Sequence, residues 1–157
     1  MSQPNSPSST SDSLTGLLIP LSDRRLLVPN VAVAELISCR GLQRPSGMPS
    51  WFVGQLPWRD LQLPVLCFEA ACGAPVPESL DNARVVVINA LGGRPLVKFL
   101  AVLVQGIPRS LKIDDKLQRA EVPLDALELD AVRLGDEVAR IPDLVALEQL
   151  LADLGVI

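Results

Sequence analysis

The sequence predicts an all-β protein built from small barrels, and three observations carry that expectation. About ten short apolar runs are separated by clusters of Gly, Pro, Asn, Asp and Ser, the spacing of short strands joined by turns. Sustained helical periodicity occurs at the C-terminal end, with one short early segment as the other helix candidate. Hydrophobic residues make up 48% and aromatics only 3%, so the core must be built mainly from Val, Leu, Ile and Ala. At 157 residues the chain suffices for one domain, or for two very small barrels that share a core.

Residues 1–13 are polar and rich in Ser and Pro, and read as a disordered tail ahead of a domain over 14–157. Leu14 to Pro20 and Arg24 to Val28 are short apolar runs joined at Ser22-Asp23, which has hairpin-turn chemistry. Asn30 is suited to cap a short helix over Val31 to Ile37, with Val33, Leu36 and Ile37 on one face. Arg40 to Ser50 is interrupted by Gly and Pro and reads as a surface loop.

Trp51 to Phe68 then reads as a hairpin. Phe52, Val53, Leu56 and Trp58 supply bulk before a tight turn at Arg59-Asp60. Leu61, Leu63 and Val65 alternate with Gln62 after it, the period-two pattern of a half-buried strand. Gly54 inside the first strand predicts a bend or a close backbone approach. Pro64 has no N–H for a ladder, so the second strand is expected at a sheet edge or beside a bulge.

The stretch 73–83, with two prolines, is expected to connect two subdomains. Arg84 to Asn89 is a continuous apolar strand, Leu96 to Gln105 another, and Arg109 to Ile113 continues the sheet. Glu121-Val122, Leu129 to Leu134 and Glu137 to Ile141 are shorter strands, the last two joined at Gly135-Asp136. From Pro142 to Leu154, Leu144, Leu147, Leu151 and Leu154 form one helical stripe that ends at Gly155, a helix packed on a barrel.

Composition narrows the chemistry. Histidine is absent, which removes the commonest general base and metal ligand, and any Ser-His-Asp or Cys-His arrangement. Cys39, Cys67 and Cys72 form no CxxC pattern and read as reduced thiols; with no signal peptide in view, a cytoplasmic location is expected. Gly92-Gly93 lacks the spacing and the Lys-Ser/Thr of a phosphate loop. The inventory points away from catalysis and implies no cofactor and no metal.

Net charge is −4, which argues against nucleic acid as a partner, and no apolar run reaches the roughly 20 residues that membrane insertion requires. Residues 1–112 carry +3 and residues 113–157 carry −7, so the acidic end is either a solvated surface or a guide toward a basic partner.

Trp51-x-x-Gly54, Arg59-Asp60 and Leu63-Pro64-Val65 together resemble the central hairpin of the CheW-like domains of bacterial chemosensory signalling. That hairpin reads W-x-x-G, then R-G, then L-P-V or I-P-V; Asp60 stands where the family prefers Gly. Leu26-Leu27-Val28-Pro29 and Val33-Ala34-Glu35-Leu36 resemble the family's opening strand and its V-x-E-I segment. Arg84 to Ile88 and Leu100 to Val104 resemble two later strands, so the likeness covers nearly everything after Ser13.

The resemblance implies two intertwined SH3-like five-stranded barrels, with a short early helix and one at the C-terminus. It implies a non-catalytic adaptor that couples a methyl-accepting chemoreceptor to a histidine kinase of the CheA type, a two-component pathway. Stand-alone adaptors of this kind serve flagellar chemotaxis and type IV pilus twitching alike. By the same likeness, the partner-binding surface would include Arg59, Val33 and Glu35, with Val104 and Ile107 near a later strand. The rival reading from the residues alone is a small-barrel protein- or peptide-recognition module unrelated to chemotaxis.

Overall fold

The computed structural model describes residues 13–77, 80 and 83–157; apart from Ser13, the polar tail expected at the start lies outside the described residues. Among these residues, eleven strands and two short helices follow in order. They are β1 Ser13–Pro20, β2 Arg25–Pro29, a 3-10 turn Asn30–Ala32, β3 Val33–Ser38, β4 Phe52–Trp58, β5 Leu61–Leu66 and α1 Phe68–Ala71. Then come β6 Arg84–Asn89, β7 Phe99–Val104, β8 Arg109–Asp114, β9 Gln118–Arg119, β10 Glu128–Leu134, β11 Glu137–Pro142 and α2 Leu144–Leu154.

The strands form two mixed sheets. One has six strands in the order β8-β1-β2-β11-β10-β9, the other five in the order β3-β6-β7-β5-β4. The five-stranded sheet is a continuous middle section of the chain, inserted between β2 and β8 of the other. The chain therefore crosses between sheets at the 3-10 turn and after β7. This corrects one expectation: β5 and β6, the strands on either side of residues 73–83, belong to the same sheet, so the change of sheet does not fall between them.

Burial explains why the central strands are so apolar. Val86 and Ile88 of β6, with Leu100, Val102 and Val104 of β7, pack into a core shared with Ile19, Leu26 and Val28 of the other sheet. The alternate residues Val85, Val87, Ala101 and Leu103 face a second core inside the five-stranded sheet, with Leu56, Leu63 and Val65. A smaller cluster around Leu18, Leu27, Val132 and Ala139 fills the six-stranded one. Both faces of β6 and β7 are covered, and unbroken apolar runs are what a strand buried on both faces requires.

Several elements differ from expectation for identifiable reasons. Residues 33–38 are a strand, paired with β6 from Val33↔Ile88 to Ser38↔Arg84, and only Asn30–Ala32 is helical. Seven residues are too few for a helix to be stable on its own, and pairing with β6 satisfies the same backbone groups. Leu36 then packs into the shared core and Ile37 into the second one, opposite faces as a strand requires. The short strand near 121–122 is instead Gln118–Arg119, and Leu96 precedes β7 rather than opening it. Helix α1 had no sequence signal.

Pro64 lies inside the sheet, since β5 sits between β7 and β4, but the β7 ladder pairs only Val65 and Leu66, so no donor is missed at Pro64. The bulge is across the hairpin, between Phe52 and Gly54. Gly54 has φ 150°, and a Cβ there would sit 2.2 Å from the Gln43 carbonyl oxygen, which is the close approach expected of it.

Three buried carboxylates join elements. Glu69 of α1 accepts from the Ser22 amide and hydroxyl at 2.8 and 2.6 Å, tying the five-stranded sheet to the β1–β2 turn. Glu128 accepts from Arg24 at 2.8 Å and from Arg140 at 2.7 Å. Glu148 of α2 accepts from the Leu91 and Gly92 amides, at 3.1 and 2.9 Å, and from Arg94. Asp143 caps α2 through the Ala146 amide, and Pro142 ends β11 instead of starting the helix.

Candidate functional site

The β4–β5 hairpin ends in a two-residue turn in which Arg59 and Asp60 have φ 47° and 63°. Positive φ at both central positions is the signature of a type I′ turn, whose twist matches that of the flanking strands. In such a hairpin Trp58 and Leu61 form the hydrogen-bonded pair, and Pro57↔Gln62 and Gln55↔Pro64 are non-hydrogen-bonded pairs. Neither proline is therefore asked to donate within the hairpin.

Arg59 projects from this turn, 64% exposed, and its guanidinium donates to Glu35 Oε1 at 3.2 Å. The carboxylate partner comes from β3 rather than from neighbouring Asp60. Glu35, 42% exposed, also accepts from Trp58 Nε1 at 3.0 Å through the same oxygen. The Arg59 guanidinium lies 4.4 Å over the Trp58 ring. Trp58 in turn meets Phe99 edge-to-face at 4.9 Å. Because β3 and β4 are the two edges of their sheet, these side-chain bonds span its seam.

The surroundings are apolar. β3 begins beside the end of β6, β7 begins beside it, and the hairpin tip lies at the same end by the parallel β5–β7 register. Exposed Val31, Leu61, Leu91 and Leu96 gather there, the last 96% exposed. A groove of about 500 Å³ runs between Leu61, Leu63, Pro64, Leu96, Phe99 and Ile157. The charge pair and this apolar rim lie at the same end of the sheet.

Of the residues expected to bind partners, Glu35 and Arg59 are brought into contact. Val33 lies half-buried two positions before Glu35, across a bulge in β3. Val104 is fully buried in the shared core and its side chain offers no surface, so that expectation is corrected. It was an apolar residue in a strand covered on both faces. Ile107 is exposed, but it follows β7 at the end far from Phe99 and lines a different cleft with Leu18, Pro20, Arg25 and Glu137. In the sequence Trp58 reads as strand bulk and Leu96 as the start of a strand, and neither they nor Phe99 stand out as site residues. Only the indole N–H of Trp58, which seeks a partner when buried, hinted at more.

Among the described residues no group of His, Cys, Asp and Glu could hold a metal ion. The three cysteines are free, and burial pushes the Cys67 thiol up to about 12, which leaves it protonated and inert. No helix among the described residues is long and apolar enough to cross a membrane.

The family model of the CheW-like domain matches residues 15–151. Among solved structures, the chain is similar to the scaffolding protein TtCheW from Thermoanaerobacter tengcongensis, at 15% identity and a TM-score of 0.66. The match covers 82% of this chain and 88% of that one. No curated protein matches the chain. The likeness shows the fold: two SH3-like barrels, as expected, with six and five strands where five each were anticipated.

Proposed function

The chain belongs to the family of CheW-like domains, and from that membership we propose that it is a non-catalytic adaptor that couples a chemoreceptor to a histidine kinase of the CheA type. The observation that carries the reading is the Glu35–Arg59 pair, exposed at a hairpin tip at the same end of the sheet as an apolar rim. Arginine on an aromatic face beside exposed leucines is the make-up of an interface hot spot. Only one of the five guanidinium N–H donors is engaged by Glu35, which leaves the others for a partner. An adaptor of this kind needs to bind two proteins at once and to pass a change of arrangement between them. Two barrels with one shared core suit that task, because each offers its own edges while the core keeps them in fixed relation.

Titration calorimetry against a CheA-type kinase regulatory domain and a receptor signalling tip tests the reading. Arg59→Ala is expected to keep the fold, with stability within about 1 kcal/mol of wild type, because exposed ion pairs contribute little. Binding should weaken by roughly 1–3 kcal/mol, and Arg59→Lys should restore part of it, since lysine keeps the charge but loses the planar fork. Absence of wild-type binding to both fragments would overturn the proposal.

A further inference from the structure

Trp58 holds a position that the partner-binding reading does not by itself require. Its side chain is nearly buried at the end of β4, packed edge-to-face on Phe99 at 4.9 Å. From that anchored position it does two things at once. Its Nε1–H donates to Glu35 Oε1 at 3.0 Å, and its ring face carries the Arg59 guanidinium at 4.4 Å. Glu35 stands on one edge strand of the sheet and Arg59 at the end of the other, and the indole contacts both of them and the core.

We propose that Trp58 is a positioning residue: it fixes Glu35 and Arg59 in the arrangement that meets the partner, closing the β3–β4 seam as it does so. The inference rests on the adaptor reading for its consequence in binding, but not for the clasp itself. The physical reason is preorganisation. A free arginine at a turn samples many rotamers and loses them on binding; one already stacked on a ring and paired with a carboxylate loses fewer. An exposed ion pair alone is too weak to hold that geometry. A buried indole adds a directional N–H and a flat platform, and Phe99 keeps the platform from turning. The pair then presents outward the unused N–H edge of Arg59 and Glu35 Oε2, which takes no hydrogen bond among the described residues. A partner carrying a carboxylate beside a cation complements that face.

The experiment uses the full chain with Trp58→Phe, Trp58→Leu and Glu35→Gln. Phenylalanine keeps a ring against Phe99 and so protects the fold while removing the N–H. Nitrogen-15 NMR reads the two indole signals, of Trp51 and Trp58, and the mobility of the Arg59 Nε–H, assigned by its loss in Arg59→Ala. Glu35→Gln should move the Trp58 indole signal and leave that of Trp51 in place. Both Trp58 variants should make the Arg59 Nε–H more mobile, Leu more than Phe. In calorimetry against the kinase and receptor fragments, Trp58→Phe should weaken binding by roughly three- to tenfold in the wild-type background. In an Arg59→Ala background the further loss should be clearly smaller, because a positioning residue acts through what it positions and only the share carried by Glu35 remains. An Arg59 Nε–H that is equally rigid in all variants, or a Trp58 effect that persists in full without Arg59, would overturn the proposal. Failure of the wild type to bind either fragment would overturn the adaptor reading instead, and the NMR comparison would still decide the role of Trp58.

Discussion

At the scale of single residues, the Arg59-Asp60 turn is the most informative feature of the chain. Both residues adopt positive φ, which glycine meets freely and Asp tolerates better than most. The type I′ turn favours Gly at its second central position, so Asp60→Gly should raise stability by about 0.5–1 kcal/mol. The gain from relieved strain exceeds the added entropy of the unfolded chain. Equilibrium urea unfolding measures it, and a loss of stability would contradict the turn geometry. The same positive φ at Arg59 explains why the arginine stands clear of the sheet: the turn rotates its side chain back over Trp58, within reach of Glu35.

Among the elements, α2 shows how a helix is held by more than its leucine stripe. Leu147 and Leu151 are fully buried in the shared core, as the helical periodicity requires. Beside them Glu148 is also fully buried, and its carboxylate satisfies two backbone amides of the β6–β7 connection and the Arg94 guanidinium. Gly92 makes this possible, since a Cβ there would lie 2.0 Å from the carboxylate. Glu148→Ala would strand two amides and a cation at once, and should cost about 3 kcal/mol or more. Chemical denaturation gives the magnitude, and hydrogen exchange at Leu91 and Gly92 should quicken first. If the variant unfolds like wild type and those amides stay protected, Glu148 does not hold the connection. The stretch that carries Leu96 is fastened to the core by this contact, which links the helix to the apolar rim of the candidate site.

For the whole molecule, the β1–β2 turn ties the two halves together alongside the shared core, through Ser22 donating to Glu69 and Arg24 lying over Phe68. Arg24, at the β1–β2 turn, pairs with Asp23, Asp125 and Glu128 and lies over the Phe68 ring. Hydrogen bonds from Arg24 hold the Asp23 carboxyl below its ordinary range. A carboxylate with a depressed folded pKa contributes stability above its unfolded value, near 3.9, and loses it as pH falls below that. Because Asp23 is 40% exposed, solvent screening keeps its share below about 1 kcal/mol. Wild-type stability should therefore fall more steeply between about pH 4 and 2.5 than that of Asp23→Asn. Parallel urea midpoints across that range would exclude the contribution.

The sequence by itself determined the class of fold, the hairpin and its turn, the two-faced apolar strands β6 and β7, and the C-terminal helix with its Gly155 stop. Each of these is written in local periodicity or in the stereochemistry of one or two residues, and needs no distant partner to be read. A family likeness named Glu35 and Arg59 as candidates for a partner surface, but their contact with each other is visible only in the structure. Only the tertiary structure decided that residues 33–38 are a strand, because a seven-residue segment has no strong preference until β6 lies beside it. Only it decided which sheet each strand joins, where the halves interlock, and that Val104 faces inward. The contact of Trp58 with Glu35, and of Glu148 with Gly92, belongs to the same kind. The partners are 23 and 56 positions apart, and a hydrogen bond across such a span leaves no periodic trace in either segment.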